Sequence, residues 1–388
     1  MLDLVRLSDL DIKGKRVLIR EDLNVPLKDG RVASNARVKA VLPTIEYVVS
    51  KGAKVILMSH LGRPTEGISI ERQREFSLAP VARELSNLGS LRVRLEPNYL
   101  NGFEFEDNEI VLLENVRVNA GEKSNDDNLA RKLAILCDVY VMDAFATSHR
   151  AHASTEGVAR YAPIACAGPL LLKELKALEE ARHNPAKPVI AIVGGSKVST
   201  KLSILSALSQ QVDGLIVGGG IANTFLAASG KQIGKSLFEP EMEDIAKKIL
   251  EEDRICLPVD VLVSSSLEDS TKNVVKDVDE ISPEDRILDI GPLSISKNRE
   301  WLKGAKTIIW NGPLGVFEIP DFSRGTSELA ASIKESDAFS LAGGGDTLAA
   351  IEKFGGADGI SYVSTGGGAF LELLEGKALP AVLALERQ

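Results

Sequence analysis

The chain is poor in cysteine, histidine and long apolar stretches. Cys137, Cys166 and Cys256 are its only cysteines, with no CxxC pair and no metal-ligand spacing among them. An odd number leaves a thiol unpaired, which excludes a disulfide-stapled secreted scaffold and fits a reduced cytosolic compartment. Apolar runs such as Val189–Val193 are far too short to span a bilayer. The opening MLDLVRLSDLDIKGKR carries charge throughout and lacks an apolar segment, so it does not read as a signal peptide. An excess of basic charge is missing as well: 46 Lys+Arg face 55 Asp+Glu, a formal net charge of −9. Nucleic acid and membrane are therefore poor partners for this chain.

What is present is the composition of an ordinary globular protein, 44% hydrophobic and 26% charged. At about 150 residues per domain, 388 residues predict two domains. The charge is unevenly spread: residues 1–168 hold 23 basic and 23 acidic residues, and 15 of the 21 arginines lie there. Short β-branched runs alternate with helical stretches. Val17–Arg20, Lys54–Ser59, Ile110–Glu114 and Val139–Asp143 read as strands in the first half. Val189–Val193, Gly214–Val217, Ile255–Val263, Ile287–Ile290, Thr307–Trp310, Phe339–Ala342 and Tyr362–Ser364 read as strands in the second. These runs are continuously apolar, as strands covered on both faces must be. Helical spacing falls at Asn35–Ser50, Ser77–Leu88, Asn128–Cys137, Thr200–Gln211 and Pro240–Glu252. The expected fold is α/β: two Rossmann-like three-layer α/β/α domains with mainly parallel sheets, joined by a helix and hinge. The join falls at 169–187, where LLLKELKALEEAR ends in His183-Asn184-Pro185 with Pro188 just beyond. That gives a first domain over 1–168 and a second over 188–374.

Glycine marks the second half. Strand ends run into Gly194-Gly195-Ser196-Lys197, Gly218-Gly219-Gly220, Asn311-Gly312-Pro313-Leu314-Gly315, Gly343-Gly344-Gly345-Asp346-Thr347 and Gly366-Gly367-Gly368. Any one of these is simply a tight turn, but five at strand ends in one domain point to a polyphosphate or nucleotide cradled by backbone N–H groups. Two standard nucleotide motifs fail. Gly234-Lys235-Ser236 ends a Walker-like loop whose first glycine is Ser229, and Gly218-x-Gly220 continues to Asn223 instead of a third glycine. Lys197 and Lys201, four residues apart, are expected one helical turn apart on the same face, as candidates to neutralise phosphate. Asp346 is a candidate Mg²⁺ ligand, or a helix cap with Thr347. With 5% aromatics, recognition of a purine falls to apolar and backbone contacts.

In the first half, basic and polar residues follow the strands: Arg20-x-Asp22-x-Asn24, Ser59-His60-Leu61-Gly62-Arg63, Asn115-x-Arg117 and Asp143-Ala144-Phe145 leading to His149-Arg150-x-His152. Arg37 enters the first turn of a helix. Singly, each is an ordinary structural residue. Their shared position past strand ends points to a convergent basic pocket for a small phosphorylated acid.

These segments also carry a resemblance. VLIREDLNVP (17–26), SHLGRP (59–64), DAFATSHRAHAS (143–154), GGSKVSTK (194–201), WNGPLGVFE (310–318), GGGDT (343–347) and STGGGA (364–369) occur in the order found in the phosphoglycerate kinase family, and the chain resembles its bacterial members from end to end. Ala146, Met142 and Val118 depart from the usual family residues without removing a charged site group. The resemblance implies reversible, Mg²⁺-dependent transfer of a phosphoryl group from 1,3-bisphosphoglycerate to ADP, giving 3-phosphoglycerate and ATP, in a cytoplasmic monomer. It implies phosphoglycerate contacts from Asp22, Leu23, Asn24, Arg37, His60, Leu61, Gly62, Arg63, Arg117 and Arg150, with His149 and His152 at the rim. Lys201, Asn311, Glu318, Gly344, Gly345, Asp346 and Thr347 would face the nucleotide, with Asp346 on the metal. Arg37, Lys197 and the helix start at Gly367-Gly368 are the expected stabilisers of the transferring group. The resemblance further implies domain closure about the connector and a C-terminal stretch, about 375–388, that returns to the first domain. The rival readings are an NAD-dependent two-domain dehydrogenase, which needs the glycine pattern that Asn223 breaks, and a two-lobed binding protein, which predicts a signal peptide.

Overall fold

The computed structural model describes residues 3–106, 109–182, 185–252, 254–266, 270–355 and 357–386. The chain divides into two compact units, residues 1–176 with 378–388, and residues 177–377. The division falls inside the helix Pro169–Arg182. His183 and Asn184 of the expected break lie outside the described residues.

The first unit is built on six parallel strands. In spatial order they are Val93–Glu96, Ile110–Leu113, Lys54–Met58, Arg16–Arg20, Val139–Met142 and Ala165–Ala167. Val17 and Ile19 point to one face and pack with Val38, Val41 and Ile45 of the helix Ala36–Ser50 and Val81 and Leu85 of the helix Ala79–Gly89. Leu18 and Arg20 point to the other face and are just as buried. Continuous apolarity in these runs thus reflects cover on both sides. The C-terminal residues belong to this unit: Leu4 bridges to Glu386, and the Ala381 N–H donates to Ser148 O at 3.1 Å.

The second unit repeats the plan. Its six parallel strands run Ile255–Cys256, Gly214–Gly218, Val189–Gly195, Thr307–Asn311, Phe339–Ala342 and Tyr362–Val363. Numbered along the chain this order is 3-2-1-4-5-6, so the strand order reverses between Val189–Gly195 and Thr307–Asn311. Trp310, fully buried, anchors the core with Ile192, Ile308 and Phe317.

Several elements differ from the sequence-based expectation. The run Ile255–Val263 is two strands, not one. Pro258 interrupts it, and Asp260–Ser264 joins a separate antiparallel sheet with Val274–Asp277 and Arg286–Ile290. The strand expected at Ile287–Ile290 is therefore antiparallel. Val93–Glu96, Ala165–Ala167 and Val274–Asp277 were not anticipated, since all are short and the first and last carry charge.

Buried carboxylates tie helix starts to distant strands. Asp143 accepts from the N–H groups of Leu170 (2.7 Å) and Leu171 (3.0 Å), and from Thr44 Oγ1 (2.7 Å) on the helix Ala36–Ser50. Asp260 does the same for Leu293 and Ser294, and Asp289 for Gly325. Each satisfies N–H groups that a helix leaves without partners. Thr44→Val removes one donor from a buried carboxylate without changing volume. It is expected to cost about 1–3 kcal/mol, visible by calorimetry as a lower transition temperature; an unchanged transition would show that the bond contributes nothing.

Candidate active site

The carboxyl ends of the first sheet gather the basic residues. Arg20 closes its strand with a guanidinium only 1% exposed. Nη1 donates to Glu21 O (2.6 Å), Nε to Ser154 Oγ (3.2 Å), and Nη2 lies 3.2 Å from His60 Nδ1. Ser154 in turn donates through Oγ (2.5 Å) and N (2.9 Å) to the buried Glu122. A guanidinium can only donate, so Nδ1 of His60 accepts and the neutral ring carries its proton on Nε2. Burial, reinforced by the charges of Arg20, Arg117 and Arg150, drives the His60 pKa well below its ordinary 6.5.

The other predicted residues join this rim. Arg37 Nη1 donates to Asn24 O (2.8 Å) and pairs with Asp22 Oδ2 (3.0 Å). Asn24 Oδ1 accepts from the Gly62 N–H (2.8 Å), and Arg117 Nη1 donates to Gly62 O (2.9 Å), so the loop after Met58 is held from both sides. Burial and its cationic neighbours push Arg117 down to about 10, still charged at neutral pH. Leu23 and Leu61 are buried supports, whereas Arg63 is exposed. Arg150 Nε donates to His149 Nε2 (3.2 Å). His149 and His152 are both driven to about 4, by burial first and then by nearby arginines. The arginines carry the positive charge of this rim; the histidines are neutral.

The second unit places its glycine turns around the point where the sheet order reverses. Lys201 Nζ lies in that fork, donating to Gly194 O (2.5 Å), Asn311 Oδ1 (2.7 Å) and Asn311 O (3.3 Å). Burial lowers its pKa to about 8, with Asp346 opposing the shift. Asn311 Nδ2 donates to Gly343 O (2.7 Å), and the Gly312 N–H donates to Thr347 Oγ1 (2.8 Å), locking adjacent turns together. Gly344 has φ +103°, which L side chains rarely adopt, and lets the chain enter the helix Gly345–Phe354. Gly194 admits no Cβ at all, because Pro313 O occupies that space. Lys197 does not share a helical face with Lys201. The helix begins only at Leu202, and Lys197 is exposed in the loop before it. Gly367 and Gly368 open the helix Gly367–Leu374.

Beside the fork is a cleft of about 810 Å³, lined by backbone at Gly219 and Gly220, by Leu237, Phe238, Leu288, Pro313, Leu314 and Val316, and by Glu318 and Asp346. Its walls are mainly apolar side chains and glycine backbone. Gly234-Lys235-Ser236, the incomplete Walker-like segment, forms no phosphate loop before a helix: Lys235 pairs with Glu284, and Ser236 Oγ donates to Ile233 O and accepts from the Ile287 N–H at 2.8 Å, on a segment that edges the cleft. Ser154 and Glu122, which hold the Arg20 guanidinium in place, are the neighbours that sequence reasoning passed over.

Two parallel α/β units, one with a guanidinium rim and one with a glycine-lined cleft and a buried ammonium, define a phosphotransferase. The model of the family "phosphoglycerate kinase" matches residues 7–377. Among solved structures, the phosphoglycerate kinase of Coxiella burnetii is 51% identical, with 98% of each chain covered and a TM-score of 0.92. That of Pyrococcus horikoshii is 35% identical over 98% of each chain, with a TM-score of 0.83. The chain belongs to the phosphoglycerate kinase family, and its enzyme class is that of a kinase of the EC 2.7.2.3 type. The dehydrogenase alternative finds no support.

The geometry at His60 has a spectroscopic consequence. Side-chain ¹⁵N resonances are expected to report a neutral, Nε2-protonated ring at pH 6.5, where an ordinary imidazole is half protonated. A titration midpoint near 6.5 would show that Arg20 and burial do not govern its state.

Proposed function

We propose that the guanidinium rim of the first unit binds the phosphoglycerate and that the cleft of the second binds ADP or ATP. The observation that carries this division is the chemical difference between the two rims: fixed planar cations in one, backbone amides, apolar walls and a buried ammonium in the other. Asp22 and Asn24 are suited to the substrate hydroxyl, with the Leu23, Leu61 and Gly62 loops as their support. Arg63, Arg117, Arg150 and His60 are suited to the phosphate and carboxyl oxygens. In the second unit Lys201 and Asn311 would turn to the phosphate chain, Glu318 to the ribose, and the Gly344-Gly345-Asp346-Thr347 turn to the phosphates and Mg²⁺.

The cation fits the residues present. Among the described residues no cluster of three His, Cys, Asp or Glu could hold a metal ion alone. Mg²⁺ needs only one or two carboxylates when phosphate oxygens and water complete its octahedron, and Asp346 supplies one on the cleft wall. When bound, the ion neutralises charge on the phosphate chain.

Phosphoryl transfer asks little covalent chemistry of the protein; it needs in-line placement and relief of charge on the equatorial oxygens. The acceptor in the ATP-consuming direction is a carboxylate, already ionised, so no general base is required. Arg37 and Lys197 are the cations we assign to that charge, with N–H groups at Gly367 and Gly368 as further donors. Closure of the two units about their connector would bring the ligands together and keep water from the acyl phosphate. The enzyme acts in the cytoplasm as a monomer on this reading. Three free, buried cysteines support the reducing compartment, and no described helix is long and apolar enough to cross a membrane.

A coupled assay with 3-phosphoglycerate and MgATP tests the reading, and no turnover would sink it. Arg37→Ala and Lys197→Ala are each expected to lower kcat by about 10²–10³; full kcat in either removes that residue from the mechanism. The Lys201 ammonium predicts a pH effect. A lysine that titrates at about 8 in the free enzyme loses its charge above that pH, so kcat/KM for the nucleotide should fall as pH rises through it. A value level to about pH 10 would contradict a phosphate contact from Lys201.

A further inference from the structure

The loop that carries Lys197 is short of anchors of its own. Between Gly195 and the helix at Leu202, Ser196, Lys197, Ser199 and Thr200 are exposed, and Val198 is the buried residue. Its internal bonds, Thr200 Oγ1 to Lys197 O (2.9 Å) and the Lys201 N–H to Val198 O (2.9 Å), shape the turn but do not hold it to anything else. Ordering such a loop costs backbone entropy at every residue, so contacts from outside it must help to hold it.

That something is Glu239. Its carboxylate accepts from Ser199 through both the backbone N–H (2.8 Å) and the hydroxyl (2.5 Å), using one oxygen for each. Glu239 is itself 7% exposed. The segment that presents it is stitched down residue by residue. The Lys235 N–H donates to Asp285 O (2.7 Å), Ser236 Oγ accepts from Ile287 N (2.8 Å), and Leu237 O accepts from Asn223 Nδ2 (3.0 Å). The Glu239 N–H donates to Thr224 Oγ1 (3.1 Å), whose proton is committed to Gly220 O (2.9 Å). Lys235, Ser236, Leu237, Phe238 and Pro240 also line the cleft. One strap therefore forms part of the cleft wall and grips the Lys197 loop.

We infer that Glu239 is a positioning residue for phosphoryl transfer: through Ser199 it fixes the Lys197 loop to the wall of the nucleotide cleft. The inference rests on the reading that Lys197 stabilises the transferring group. Glu239 touches no reacting atom and acts only through the loop.

Four single variants and one double variant test this in the full-length enzyme, with activity and amide hydrogen exchange read together. Glu239→Ala is expected to lower kcat by about 10- to 100-fold, to leave the KM for 3-phosphoglycerate unchanged, and to speed exchange at residues 196–200. Glu239→Gln keeps an acceptor for the Ser199 N–H and should recover most of both. Ser199→Ala should reproduce part of the loss and add nothing to Glu239→Ala. Lys197→Ala separates the two readings: full kcat there refutes the role of Lys197 itself, whatever Glu239 does. With Lys197→Ala impaired, wild-type kcat in Glu239→Ala, unchanged exchange at 196–200, or an equal loss in Glu239→Gln each overturns the positioning role.

Discussion

All strands within each six-stranded sheet run the same way, and from that the site follows. A parallel sheet delivers every strand end, and the start of every following helix, to one rim. There the backbone has N–H groups without partners, and there the chain can afford side chains that would be intolerable inside. In the first unit the rim collects Arg20, His60, Arg117 and the Asp22–Asn24 turn; in the second it collects the glycine turns and Lys201. An antiparallel arrangement would have scattered the same residues over two ends.

The two rims hold their positive charge differently. Guanidiniums stay charged even when desolvated, so the first unit can bury Arg20 almost completely and let it dictate the proton position of His60. Histidine in that company is a neutral donor, and its familiar role as a pH switch is lost. The second unit uses a lysine, whose charge does respond to burial, in a fork built of carbonyl oxygens. The first rim thus keeps its charge across neutral pH, whereas the second has a lysine whose charge changes near pH 8.

Much of this was legible in the amino-acid order, because continuous apolar runs ending in glycine or arginine can be little else than buried parallel strands with a functional rim. The strands at Val17, Lys54, Val189 and Thr307 lie within a residue or two of expectation. The failures have local causes. Lys197 and Lys201 have helical spacing but stand before the helix, since the chain must first turn out of Gly195 at φ +144°. Pro258 sits in an apolar run that looks unbroken by hydrophobicity and is divided by hydrogen bonding. Arg20 reads as the polar end of a strand; nothing in its neighbours along the chain announces Glu122 and Ser154, more than a hundred residues away. Long-range partners of this kind come from topology, which a linear pattern does not contain.

The contact of Gly194 with Pro313 O leaves no room for even a methyl group. At this point main chain lies directly against main chain, and any side chain at 194 would have to lever the Pro313 turn off the strand end. The spacing of these two turns is therefore a property of the backbone, and substitutions elsewhere on the rim can reshape its edges without moving that seam.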